Sequence, residues 1–207
     1  MRVAIMQPYF FPYLGYFELM SKVDKFVLYS DVQFHKRSWI CRNRLPDGYL
    51  TIPCNKQRKS ILETNMISGF QDYHLRRLLH LYGQDSMSHS ILSCYTLKTN
   101  SLYEFLRASL IDLRDFLKLD CQILESHKLR EKTNVPYEED IINICKLLKC
   151  KYYWNLSGGK ELYKKECFEE NKLILNFLDP PNYSNMFSIL DLCLNEKNHH
   201  ILFEAWS

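Results

Sequence analysis

Short apolar runs rich in β-formers, separated by stretches with helical spacing, limit this chain more than any other feature. Val3 to Met6 is one such run and Phe26 to Tyr29 another, and Leu14 to Lys22 between them reads as a helix. The last third repeats the order: Cys121 to Leu124 reads as strand, Tyr137 to Leu148 as helix, Lys151 to Trp154 as strand, Tyr163 to Glu170 as helix and Leu173 to Leu178 as strand. The middle helix is well signed. It carries Glu138, Glu139 and Asp140 in its first turn, Lys146 and Lys149 near its end, and Ile141, Ile144, Cys145 and Leu148 on one face. Strands that alternate with helices across short connections form a parallel sheet covered on both faces, and ligands of such sheets bind beyond the carboxyl ends of the strands. The expected fold is therefore α/β, a Rossmann-like, mostly parallel sheet flanked by helices.

Between the two alternating regions the pattern changes. Tyr49 to Pro53 is a strand candidate after the turn residues Pro46-Asp47-Gly48, and a hairpin fits there. From Gln71 to Leu119 the spacing is helical, with Leu75, Leu78, Leu79 and Tyr82 on one face and Leu102, Phe105, Leu106, Leu110 and Leu113 on another. This predicts a single α/β domain over residues 1–207 with a helical lobe inserted at about 71–119. A chain of 207 residues buries a sizeable core without staples. Its start is too short an apolar run for a signal peptide and no run is long enough to span a membrane, so the expected location is cytoplasmic. The eight cysteines form no C-x-x-C pair or tight Cys/His spacing, which predicts reduced, buried thiols and no metal site.

The net charge of +3 is unevenly spread. His35 to Lys59 holds Lys36, Arg37, Arg42, Arg44, Lys56, Arg58 and Lys59 against Asp47 alone. Such an excess points to an anionic ligand, either the phosphates of a small molecule or a nucleic-acid backbone, with a solvated basic surface as the alternative.

Three segments after predicted strands could carry chemistry. The first, QPYFFPYLGYFE from Gln7, is stiffened by two prolines; its Phe10, Phe11 and Phe17 suit the core, whereas Tyr9, Tyr13 and Tyr16 carry hydroxyls suited to a ligand. The second, Ser30 to Arg44, mixes Asp31, Gln33, His35, Lys36, Arg37, Trp39, Arg42 and Asn43, a set matched to a diphosphate through planar guanidinium forks. The third, Asn155-Leu-Ser-Gly-Gly-Lys, sets Gly158 and Gly159 between a strand and a helix, where backbone N–H groups can face an anion. All three could share one rim. Neither a Walker loop nor a G-x-G-x-x-G fingerprint is present, and no G-x-S-x-G favours a hydrolase. Asp191 in its apolar run is either partnered or aimed at the site, and His199-His200 reads as a surface pair.

IMQPYFFPYLGYF, DVQFHKRSWICRNR, NLSGGKELY and SILDLCLN, in this order, resemble the WbqC-like family of bacterial proteins over nearly the whole chain. Two positions depart from the family pattern: Ser30 precedes Asp31 where an acidic pair is expected, and Cys41 stands for an asparagine. Members of that family accompany polysaccharide and O-antigen biosynthesis genes, and some are described as amino-acid, notably glycine, transferases acting on amino sugars. The resemblance implies a transferase that N-acylates the amine of a nucleotide-linked amino sugar. No tightly bound cofactor is implied, and the donor is an activated acyl group on a carrier protein, on coenzyme A or as an adenylate. Motif membership carries over Gln7, Tyr9, Asp31, Gln33, Lys36, Arg37, Trp39, Arg42, Asn43, Ser157, Gly158, Gly159 and Lys160 as site candidates, and Tyr13 joins them. In this scheme Lys36, Arg37 and Arg42 hold the diphosphate, Tyr9 and Trp39 border the base or sugar, Asp31 or His35 is the base, and the amides near Gly158 and Gly159 stabilise an oxyanion. The alternatives are a noncatalytic binding or assembly protein of the same pathway and, less favoured, an RNA-binding protein using the same basic segment.

Overall fold

A computed structural model describes residues 1–55, 59–85, 90–131, 134–179, 187–195 and 198. In chain order the strands are β1 (Arg2–Met6), β2 (Lys25–Leu28), β3 (Arg42–Leu45), β4 (Gly48–Thr51), β5 (Gln122–Glu125), β6 (Tyr152–Leu156) and β7 (Ile174–Leu178). The α-helices are α1 (Leu14–Ser21), α2 (Phe70–Tyr82), α3 (Leu102–Phe116), α4 (Ser126–Leu129), α5 (Tyr137–Leu147), α6 (Lys165–Glu170) and α7 (Ile189–Leu194). Ser90–Thr96 and Ser157–Leu162 form 3₁₀ segments. No helix among the described residues is long and apolar enough to cross a membrane.

The chain divides into two compact units. The first comprises Met1–Gln7, Gly15–Asp31 and Leu119–Asn182. It is built on a five-stranded sheet in the order β5-β2-β1-β6-β7, every neighbouring pair parallel. Strand β1 lies at the centre, and its Val3, Ala4 and Ile5 are all fully buried, as a strand covered on both faces requires. The edge strand β7 is no more than half-buried. Helix α1 supplies Tyr16, Phe17, Leu19 and Met20 to this core, with the Tyr16 ring 5.1 Å from Phe26. Thus the α/β class and the parallel, helix-flanked sheet expected from the alternation are what the chain forms. Strand β1 connects through α1 to β2 on one side while β6 pairs on its other side, so the strand order reverses between β1 and β6.

The second unit comprises Pro8–Leu14, Val32–Lys118 and Tyr183–Ser207. It contains the antiparallel hairpin β3–β4, closed by Pro46-Asp47, and most of the helical insertion. Leu102, Phe105, Leu106, Leu110 and Leu113 of α3 are buried, as their spacing predicts. On α2 the buried stripe is Phe70, His74 and Leu78, and Leu79, expected on that face, is exposed. The reason is His74, whose Nε2–H donates to the Thr51 carbonyl at 3.0 Å while Nδ1 lies 3.0 Å from the Tyr95 hydroxyl. Both ring nitrogens are satisfied, so a polar residue occupies the inner stripe beside Phe10 and Phe70.

Burial pulls the His74 imidazole down to about 4, against a weaker opposing hydrogen bond to Thr51. The unfolded chain protonates this ring first, so its contribution to stability is complete above about pH 6.5 and is lost as pH falls toward 4. Urea unfolding should lose roughly 3 kcal/mol from this group across that window, one pK unit being worth about 1.4 kcal/mol. In His74→Gln that part of the slope should disappear.

Candidate functional site

Because all five strands of the first unit are parallel, their carboxyl ends lie on one edge. Gln7 leaves β1 there, Tyr29-Ser30-Asp31 leaves β2, Ser126 opens α4 directly after β5, and Ser157 follows β6. In β1–β6 pairing Arg2 faces Tyr152 and Ala4 faces Trp154; carried onward, that register brings Gln7 level with Ser157. These two segments therefore flank the point where strand order reverses, the usual ligand crevice of open α/β sheets.

The Ser157–Lys160 turn is shaped from behind by hydrogen-bonded tyrosines. The Asn155 amide donates to the hydroxyls of Tyr153 at 3.0 Å and Tyr163 at 2.7 Å, and its carbonyl accepts from the Leu156 amide at 2.7 Å. The Tyr163 hydroxyl also lies 3.1 Å from that of Tyr137. Neither Gly158 nor Gly159 has left-handed φ, and a Cβ on Gly158 would meet nothing within 4 Å. The fold itself does not demand glycine at 158, and the backbone there stays open to close approach. Lys160 lies 3.5 Å from Asp179, and the Ser157 hydroxyl and Lys160 together hold the Asp179 carboxyl below its ordinary value.

Along the same edge, between β2 and β5, sits a buried ionic network. Arg130 donates to Asp31 at 2.6 Å and to Asp140, and the Tyr29 hydroxyl donates to Asp140 at 2.5 Å. Asp31 also accepts from the Ser126 hydroxyl, which in turn accepts from the Ser30 amide at 3.2 Å. Burial opposes ionisation of Asp31, but Arg130 and Ser126 outweigh it and hold the carboxyl below its ordinary value. Arg130 is raised by the same two carboxylates against the effect of its burial, and Tyr29 is pushed up by burial and by Asp140. A carboxylate so engaged is a weak base. Asp31, expected to accept a proton, is better described as a group that positions Arg130.

Next to it stands an imidazole that the sequence reading passed over. His127 Nδ1 lies 3.0 Å from the Ser30 hydroxyl, and Nε2 lies 3.7 Å from Glu125, which also pairs with Lys128 at 2.9 Å. Its signal was present: Glu125-Ser-His-Lys-Leu-Arg is a run of titratable residues directly after a predicted strand.

The remaining candidates belong to the second unit. Gln33, His35, Lys36, Arg37 and Trp39 are exposed on one turn, anchored by buried Phe34 and by the Phe10 amide donating to the Trp39 carbonyl at 2.8 Å. Arg37 has left-handed φ of 62°. Arg42 is half-buried, 4.5 Å over the Tyr49 ring, and its Nε is buried without a partner. Asn43, expected at a ligand, is instead buried and spent on backbone: its amide donates to the carbonyls of Phe10 at 3.0 Å and Phe11 at 2.6 Å. Phe11, at φ 42°, is held further by the Ser188 hydroxyl at 2.7 Å. Tyr9 and Tyr13 are half-buried, whereas Tyr16 is fully buried in the first unit with its hydroxyl on the Gln7 carbonyl at 2.9 Å. Asp191 is structural, accepting from Tyr82 and from Asn198, each at 3.0 Å. Lys56, Arg58 and His199-His200 lie outside the described residues. All eight cysteines are free thiols.

The model of the WbqC-like protein family matches residues 7–202. An uncharacterized protein of Mycobacterium tuberculosis, Rv1507c, is 41% identical over 56 residues, 25% of this chain and 24% of that protein. The match thus spans about a quarter of the relative's length. No solved structure matches.

Removing one partner of the buried network should be costly. Arg130→Met strands two carboxylates and should lower unfolding stability by about 3–5 kcal/mol at pH 7. The Asp31 carboxyl titrates below its unfolded value, so its contribution is present above about pH 4 and is lost as pH falls through the lowered value. Asp31→Asn should therefore flatten the acid limb of a stability-against-pH curve measured by denaturant unfolding.

Proposed function

We propose, for a chain that belongs to the WbqC-like protein family, a transferase of bacterial surface-polysaccharide biosynthesis that N-acylates the amine of a nucleotide-linked amino sugar. What carries this reading is the strand order β5-β2-β1-β6-β7, whose reversal falls between Gln7 and the Ser157–Lys160 turn. That point suits the acceptor nucleotide, with its phosphates against the open backbone at Gly158 and near Lys160. Along the edge, His127 serves as the base, removing the proton from the attacking amine, and Ser30 and Glu125 orient its ring. Asp31, through Arg130, fixes the loops around it.

The donor forms in question, a carrier-protein thioester, a coenzyme A thioester and an acyl-adenylate, are all anionic. Within the second unit, Lys36 and Arg37 are exposed on their own turn and offer cations suited to a phosphate-bearing group. In the transfer the amine nitrogen bonds to the donor carbonyl carbon, the thiol or adenylate departs, and His127 takes the proton.

The test incubates the protein with UDP- and dTDP-amino sugars plus each donor and follows product mass; a new amide is expected. Nucleotide-sugar binding with no amide from any donor would instead favour the noncatalytic reading. Gly158→Val should weaken nucleotide-sugar binding at least tenfold with an unchanged melting temperature, because its Cβ meets nothing in the protein. Lys172→Ala, before β7 at the amino edge of the sheet, should leave binding alone.

A further inference from the structure

The second unit holds a depression that none of this explains. It is an open hollow of about 520 Å³ lined by Asp47, Tyr49, Tyr73, Arg76, Arg77 and His80. Its floor follows from local structure. On α2, Tyr73, Arg76, Arg77 and His80 recur at i, i+3, i+4 and i+7, which places them on one face, whereas Phe70, His74 and Leu78 form the buried stripe. Across from them the hairpin turn presents Asp47 and Tyr49.

One pair ties the two walls together. Arg77 donates from Nε and Nη2 to both oxygens of Asp47, at 2.8 and 2.5 Å, and from Nη1 to the Tyr49 carbonyl at 2.7 Å. That fork neutralises Asp47 and consumes most donors of Arg77, so the pair serves as a fixed wall. Arg76 is different. It is exposed and makes no ion pair within 4 Å among the described residues, although Asp72 stands four residues before it on the same helix. His80 is exposed as well and close enough to Asp47 to help depress its carboxyl. The hollow thus has an uncompensated cation beside two rings that stay open to solvent, Tyr49 at 49% and Tyr73 at 58% exposure. Arg42 stacked on the Tyr49 ring adds a further cation at that side.

From this juxtaposition we infer that the hairpin–α2 hollow is a second ligand site, taking a small molecule with one flat ring face and an attached phosphate or carboxylate. The ring lies on Tyr73 and Tyr49, and the anion meets Arg76 and His80. Its size lies in the range of small-molecule sites. The free lone pairs of Asp47 accept from hydroxyls on the ring. Two sources have this chemistry, a sugar phosphate or uronate and a nucleotide.

The full-length protein is titrated with uridine 5′-monophosphate, glucose 1-phosphate, a galacturonate disaccharide and inorganic phosphate, following ring resonances of the tyrosines by NMR. At least one ring-bearing anion should saturate while shifting Tyr49 and Tyr73, with inorganic phosphate at least tenfold weaker. Saturation by glucose 1-phosphate or the disaccharide assigns a sugar; saturation by the nucleotide alone assigns a nucleotide. Tyr73→Ala and Arg76→Ala, both at exposed positions, should each weaken binding at least tenfold without altering the melting temperature. Binding should persist in Gly158→Val, which separates this site from the one proposed at the sheet edge. Equal affinity for inorganic phosphate, no saturation by any probe, indifference to Tyr73→Ala, or loss of binding in Gly158→Val would each overturn the inference.

Discussion

Arg130 stands between two buried carboxylates that come from distant parts of the chain, Asp31 after β2 and Asp140 in the first turn of α5. One cation serves two anions, and the set is not fully satisfied, since Arg130 Nε and Asp140 Oδ1 have no partner. Such groups are expensive to desolvate, and apolar replacements of similar shape are often no less stable. Their effect is better seen in placement. The guanidinium fixes the loops beyond two neighbouring strands against a helix start, so the edge that ends in Ser30 and Ser126 has a defined outline. His127 takes its orientation from that outline.

Much of the first unit was legible because its strands are short, β-rich and bracketed by helix-like spacing; all five strand positions follow from that pattern, and parallel pairing follows from the alternation. What pattern reading cannot supply is partnership. Asp140 reads as an ordinary acid at a helix start, because nothing local announces Arg130 as its partner. Helix α4 is too short for any period, which hid His127. On α2, leucine spacing counted histidine as polar, yet His74 with both nitrogens bonded joins Phe70 and Leu78 on the buried stripe, and Leu79 is exposed. Asn43 shows the limit of motifs: membership cannot tell whether an amide meets a ligand or the chain's own carbonyls.

The aromatic stretch after β1 is where the chain passes between units, and its rings divide accordingly. Phe10 and Phe11 enter the second unit's core, with centroids 4.8 Å apart, while Tyr16 and Phe17 enter the first. The two prolines and the left-handed Phe11 let a short segment serve two interiors, and Asn43 and Ser188 hold Phe11 in that conformation.

The order of the sheet carries a kinetic consequence. Its central strand precedes the other four in sequence, yet one flank, β6, pairs Tyr152 with Arg2 across about 150 residues, and β5 reaches β2 over the Val32–Lys118 segment of the second unit. Contacts so remote in sequence close slowly, because loop entropy must be spent before any pairing repays it. On a ribosome, β1 and β2 would emerge as a two-stranded fragment with both edges open until the last third of the chain arrives. The prolonged exposure of those edges makes the nascent chain, rather than the finished protein, the species most in need of a chaperone.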